Sequence, residues 1–246
     1  VKIAITGKGG VGKTTIAAEL CRILAADGKK VLAVDADPSL NLTSMFGAEG
    51  GKPLTEIKEL VGRARLPNGL VKLNPDVKDM IKNYSKKINK NLSLLVVGSV
   101  KAAGSGCMCP EYSLLRAILQ EIVLSGNEFV VIDMVAGLEP MSRGTIKGID
   151  AVLVITEPSK NSMYVAERIV NLSRELGIKN LLVVGNKIKD NEESKFLDKL
   201  KVFHSIPYDK NVRKKSMKNL PLEGTEFHDS VAELYEKMSG VRPKMG

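Results

Sequence analysis

The sequence has no tryptophan, and its aromatic residues, five Tyr and five Phe, make up only 4% of 246 positions. Any core must therefore be aliphatic. Three cysteines are too few for the disulfide framework of a small secreted domain. No apolar run approaches the ~20 residues of a membrane-spanning helix. Val1 leads directly into a strand pattern, so no leader is expected, and a reducing, cytoplasmic setting is the expectation. The only two histidines, His204 and His228, carry no metal-ligand spacing. What is present is 43% hydrophobic and 26% charged residues, a globular composition that excludes a disordered or collagen-like chain. Lys and Arg outnumber Asp and Glu by 37 to 28, a net charge of +9. That excess favours acidic partners, nucleic acid or anionic membranes without naming one.

Short, nearly continuous apolar runs alternate with helical patterns. Val1–Thr6, Val31–Val34, Leu94–Val97, Phe129–Ile132, Ala151–Ile155 and Leu181–Val184 read as strands covered on both faces. Thr14–Ala26, Glu111–Leu124 and Met163–Leu176 read as helices, with Ser162 as N-cap of the third. The alternation argues an α/β fold, a doubly wound, mostly parallel sheet flanked by helices. One domain over 1–246 is expected, with an irregular insertion of turns and short helices over about 47–91. The insertion ends in a lysine-rich stretch (Lys78, Lys82, Lys86, Lys87, Lys90), read as a solvated helix face or a docking surface for an acidic partner. The pattern Val231–Met238 reads as a closing helix packed on the sheet.

Gly7-Lys8-Gly9-Gly10-Val11-Gly12-Lys13-Thr14 matches the G-x-x-x-x-G-K-[ST] phosphate loop, placed between a strand and a helix as that motif requires. Glycines let the backbone curl so that amides, including those of Gly9, Gly10, Val11, Gly12 and Thr15, can face phosphate oxygens, and the helix N-terminus adds positive potential. Lys13 would reach the β- and γ-phosphates of ATP, or the β-phosphate of ADP, and the Thr14 hydroxyl would ligate Mg2+. The apolar strand ending at Asp133 supplies a second Mg2+ signature. The Asn186 amide, after another strand, suits the edge of an adenine base.

The second lysine of the loop, Lys8, makes the run resemble the deviant phosphate loop of the family that includes the nitrogenase iron protein and the MinD and ParA ATPases. The resemblance implies that Lys8 crosses a homodimer interface to the partner's nucleotide. It implies that Asp37, in Val34-Asp35-Ala36-Asp37-Pro38, orients the attacking water. It also makes Asp133-Met134-Val135-Ala136-Gly137 a second switch, with Gly137 able to swing toward the γ-phosphate, and Ile206-Pro207-Tyr208-Asp209 a base-flanking loop that includes Pro207.

Cys21, inside the first helix, reads as a buried small residue. Cys107-Met108-Cys109-Pro110 is different. Cysteines at i and i+2 of an extended segment point to one side, and Pro110 suits the first position of a helix, which places Cys109 where the helix dipole favours a thiolate. Two thiolates are half of a tetrahedral site, and a twofold axis would complete a four-thiolate centre between two copies of the chain. A redox pair, or two plain loop thiols, remain open on the residues alone.

Gly106–Glu111, then Leu114-Leu115, together with Asp133-Met134-Val135-Ala136-Gly137-Leu138-Glu139 and Arg143-Gly144-Thr145, resemble the CooC-type maturation ATPases of carbon monoxide dehydrogenase. That resemblance implies a dimeric, Mg-dependent ATPase, bridged by ATP or metal, holding nickel (zinc is possible) on Cys107 and Cys109 for insertion into a client enzyme. Where family members carry His after the switch glutamate this chain has Pro140, leaving carbon monoxide dehydrogenase or acetyl-CoA synthase as client. The nitrogenase iron protein takes one of its cluster cysteines from the second switch, and Asp133–Thr145 contains none. The alternatives are an iron–sulfur carrier on the same thiolates, or a DNA- or membrane-associated positioning ATPase. The last gives Cys-x-Cys no role, and neither a recognition helix nor a basic amphipathic tail is evident, so no nucleic-acid or membrane partner is expected.

Overall fold

The computed structural model describes residues 1–37, 39–48, 53–63, 77–98, 116–118, 120–121, 127–134, 149–218 and 220–240. Within them lies one eight-stranded sheet: β1 (Lys2–Gly7), β2 (Lys30–Ala36), β3 (Lys86–Lys87), β4 (Leu92–Val96), β5 (Glu128–Met134), β6 (Ala151–Thr156), β7 (Leu181–Ile188) and β8 (His204–Pro207). Its order is β3-β4-β2-β5-β1-β6-β7-β8. Every pairing is parallel except that of β3 with β4. The doubly wound, mostly parallel sheet expected from the alternating pattern is what forms.

Period-two alternation sorts the apolar strand residues into two cores. Ile3, Ile5, Phe129 and Val131 face one way, into a cluster with Ile16, Leu20 and Leu24 of α1 (Lys13–Ala26). Ala4, Val130 and Ile132 face the other way. The second cluster takes Met80 of α4 (Lys78–Tyr84) and Ala166, Ile169 and Val170 of α5 (Lys160–Glu175). All six residues of β6 are buried, which is why its sequence shows no polar alternation. After α6 (Asn191–Phe196) and α7 (Lys210–Ser216), the closing helix expected near the C-terminus is α8 (Glu226–Gly240), whose Phe227, Val231 and Leu234 complete the α1 side. Cys21 is fully buried there, and burial pushes its thiol pKa up.

Three details differ from the sequence reading. The cap of α5 is Ser159, whose hydroxyl accepts the Ser162 amide, so Ser162 sits inside the first turn. There the Ser162 hydroxyl bonds Thr156 Oγ1 and accepts the Glu157 amide. The lysine-rich stretch is not one helix face, because Lys78 and Lys82 lie on α4 while Lys86 and Lys87 form the antiparallel edge strand. The strand β8 was not expected: it is four residues long, at the sheet edge, and ends in proline, a weak strand signal. The described part of 47–91 also holds a 3-10 turn (Leu54–Glu56) and α3 (Lys58–Arg63). Of the helix expected over Glu111–Leu124, residues 116–118, 120 and 121 are described and helical.

Candidate functional site

The carboxyl ends of β1, β2 and β5 lie side by side, where ligands bind in open parallel sheets. From β1 the chain enters the phosphate loop at Gly7, whose φ is 146°. A Cβ there would overlap the Ile155 carbonyl of neighbouring β6, so only glycine lets the loop leave the sheet at this point. Gly12 caps α1 in the left-handed conformation, with φ 99° and no side-chain cap. The first-turn amides are thus left for an external acceptor, and no acidic side chain occupies that turn. Lys13 is 7% exposed and donates to the Lys8 carbonyl at 3.3 Å, which places its ammonium within the loop. The loop opens on a cleft of about 570 Å³ lined by Gly9, Gly10, Lys13, Thr14, Thr15 and Asp37 together with Asn41, Ser44, Met45 and Ser216.

Two acids at the strand ends have different surroundings. Asp133 is 0% exposed, and among the described residues neither carboxylate oxygen has a hydrogen-bond partner within bonding geometry. Burial pushes its pKa up to about 7; Asp35 and Asp37 reinforce the rise, while the nearby Thr14 hydroxyl and Lys13 oppose it only in part. A buried carboxylate of this kind wants a cation. With the Thr14 hydroxyl beside it, the donors are hard oxygens suited to Mg2+. Bound there, Mg2+ would neutralise charge on the β- and γ-phosphate oxygens.

Asp35 is equally buried but fully engaged. It accepts the amide and hydroxyl of Thr43, on α2 (Asn41–Met45). Burial raises its pKa, and the bonds from Thr43 and the Asp37 amide oppose that rise. Asp37 lines the cleft, and its side chain accepts the Ser39 amide at 2.8 Å. It is therefore both a turn residue and a carboxylate facing the phosphate loop.

On the other side of the loop, Asn186 is 4% exposed and donates to the Val11 carbonyl at 2.7 Å. The amide expected to meet a base is here bonded to the loop backbone. A Cβ on Gly12 would collide with it. Lys187 donates to the Gly10 carbonyl at 2.7 Å and to Glu157 at 2.8 Å. Pro207 ends β8 beside Ile188, and the half-exposed Tyr208 donates its amide to the Ile188 carbonyl. Lys8 sits partly exposed at the loop's start.

The fold thus gathers Lys8, Gly9, Gly10, Val11, Gly12, Lys13, Thr14, Thr15, Asp37, Asp133 and Asn186 around one region. Cys107, Cys109 and Gly137 lie outside the described residues. Among those described, no cluster of three or more His, Cys, Asp or Glu could hold a metal, and no helix is long and apolar enough to cross a membrane. Sequence reading missed Asp35, Glu157 and Lys187. The Asp-x-Asp spacing could have flagged the first; nothing local flags the other two.

The model of the CobQ/CobB/MinD/ParA nucleotide binding domain matches residues 2–222. The chain belongs to this family. An uncharacterized ATP-binding protein of Methanocaldococcus jannaschii is 40% identical over 234 residues, 90% of this chain and 91% of that one. The carbon monoxide dehydrogenase accessory protein CooC of Rhodospirillum rubrum is 39% identical over 226 residues, 87% of this chain and 86% of its own. Among solved structures, the cell division ATPase MinD of Pyrococcus furiosus superposes with TM-score 0.71 at 21% identity, covering 98% of this chain and 99% of that one. At that identity the likeness speaks for the fold of the CobQ/CobB/MinD/ParA domain alone.

Proposed function

We propose that the chain is a dimeric, Mg-dependent ATPase that carries nickel on Cys107 and Cys109 and assists its insertion into carbon monoxide dehydrogenase or acetyl-CoA synthase. The observation that carries this reading is a phosphate loop with two lysines beside the orphaned Asp133 carboxylate, in a chain 39% identical to a carbon monoxide dehydrogenase accessory protein. The loop would cradle ATP, Thr14 and Asp133 would hold Mg2+, and Asp37 would orient the attacking water. Lys8 would meet the developing charge from a second copy of the chain. Two Cys-x-Cys pairs across a twofold axis would supply four thiolates to one metal ion.

The test is metal analysis of protein purified without oxygen, combined with mass measurement with and without ATP. The expected result is about one nickel or zinc per two chains, lost in Cys107→Ser and Cys109→Ser. A brown, iron- and sulfide-containing protein would replace this reading by the iron–sulfur carrier. Metal at one per chain without change in mass would remove the bridged dimer.

A further inference from the structure

We infer that Lys187 is a positioning residue of the phosphate loop: its ammonium holds the Gly10 carbonyl and so aims the Val11 amide at the nucleotide. The inference rests on reading Gly7–Thr14 as a nucleotide-binding loop. A trans peptide sets its C=O and the following N–H in opposite directions, and the described residues contain no cis peptide. Drawing the Gly10 carbonyl to one side therefore turns the Val11 N–H to the other. Asn186 does the same one residue later, since its bond to the Val11 carbonyl sets the Gly12 N–H. Two successive amides of the cradle are thus oriented from behind by two successive side chains of β7.

A regular strand could not do this, because consecutive side chains point to opposite faces. The register of β7 against β8 shows how it is done. Gly185 pairs with Ser205 and Ile188 with Pro207, so β7 advances three residues while β8 advances two. The irregularity holds Asn186 and Lys187. Lys187 has φ 63°, a left-handed conformation that a residue with a Cβ adopts only when its surroundings impose it. Bulges of this kind re-aim side chains next to functional sites. Here the bulge brings Lys187 to the same loop as Asn186.

The ammonium is held at both ends. Glu157, just past β6, accepts from it at 2.8 Å, and the Glu157 amide is itself bonded to the Ser162 hydroxyl in the first turn of α5. A lysine, with three donors and no acceptor, suits a carbonyl on one side and a carboxylate on the other. The arrangement links three elements to one carbonyl of the loop: β6, β7 and the start of α5.

The test uses the full chain with ADP and with the non-hydrolysable analogue AMP-PNP, titrated calorimetrically at a temperature where each variant is folded by circular dichroism. Lys187→Met and Lys187→Gly are each expected to weaken both nucleotides by roughly ten- to a hundredfold, the span of one lost hydrogen bond from a charged donor. Lys187→Arg, which keeps a cationic donor, is expected to recover part of the affinity. In turnover, KM should rise while kcat at saturating nucleotide changes much less. Lys187→Gly is the decisive variant, because glycine relaxes the left-handed backbone while removing the ammonium. Wild-type affinity in Lys187→Gly would overturn the inference, and so would a fall in kcat with unchanged KM. A wild-type chain that binds neither ADP nor AMP-PNP would instead overturn the nucleotide reading itself.

Discussion

The Asp35 carboxylate accepts both the amide of Thr43, at 2.9 Å, and its hydroxyl, at 2.7 Å. The helix containing Thr43, α2, is preceded at its cap position by Leu40, which has φ 51° and no side chain able to cap it. Asp35 takes over that role from the end of β2, satisfying a first-turn amide that would otherwise lack a partner. The tie fixes α2 against the sheet, and α2 carries Asn41, Ser44 and Met45 along the wall of the cleft. Thr43→Val keeps the shape of the side chain but removes one of Thr43's two bonds to a buried acid. Stability should fall by about 1–3 kcal/mol, while Thr43→Ser should retain most of it. Equal urea midpoints for Thr43→Val and the wild type would deny Asp35 this role.

Asp133 makes the opposite case, a buried acid whose oxygens have no partner within bonding geometry among the described residues. With its pKa at about 7, the folded chain holds a proton that the unfolded chain has released above the ordinary carboxylate range. This group's contribution to stability is therefore present at low pH and declines as pH rises through about 7. Asp133→Asn removes the buried charge, so at pH 8 the nucleotide-free protein should be more stable than the wild type by roughly 1–3 kcal/mol. The same variant should lose most Mg-dependent hydrolysis. Denaturant titration of both proteins at pH 5 and pH 8 checks the sign, which fails if the gain is larger at pH 5.

His204 supplies a pH dependence in the other direction. Burial lowers its pKa, and Lys237 lowers it further, against the opposing pull of Glu233. In the neutral ring Nε2 bonds the Ser230 hydroxyl at 2.9 Å and Nδ1 lies 3.2 Å from the Lys237 ammonium, accepting from it. A histidine depressed in the folded state holds its full contribution above its ordinary pKa of about 6.5 and loses it as pH falls further. Stability should thus decline on acidification below about pH 6.5, and His204→Gln should flatten that decline. An unchanged slope between pH 7 and pH 5 in His204→Gln would assign the acid sensitivity elsewhere.

Which parts were legible in the sequence follows from the length scale of the cause. The strands β1, β5 and β6 were readable because helices cover both sheet faces, which leaves an apolar run in the chain itself. The phosphate loop was readable because its glycines and Lys13 act within eight consecutive positions, Gly7 to Thr14. Lys187 was not, because its role depends on a register shift between β7 and β8 and on a carbonyl 177 positions away. The cap of α5 was misplaced by one turn because Ser159 and Ser162 are both serines just ahead of the apolar pattern. Only the geometry shows one capping the other. Asp35 and Asp37 stand two apart at the end of one strand, and burial alone separates the acid that anchors α2 from the one that faces the cleft.

Asp37→Ala should bind ATP but turn over more slowly by a factor of tens to thousands, equivalent to roughly 2–4 kcal/mol in the barrier. Lys8→Ala should also bind nucleotide, since Lys13 and the loop amides remain, yet lose ATP-induced association and most turnover. If Lys8 acts on the nucleotide of the other copy, each composite site uses Asp37 from one chain and Lys8 from its partner. A mixed dimer of Lys8→Ala with Asp37→Ala then contains one site in which both groups are present and one in which both are missing. Mixing the two inactive variants should restore part of the wild-type turnover, with heterodimer formation verified by differential tagging. If Lys8 instead serves its own nucleotide, every site in the mixture lacks one group, and activity stays at the level of the separate variants.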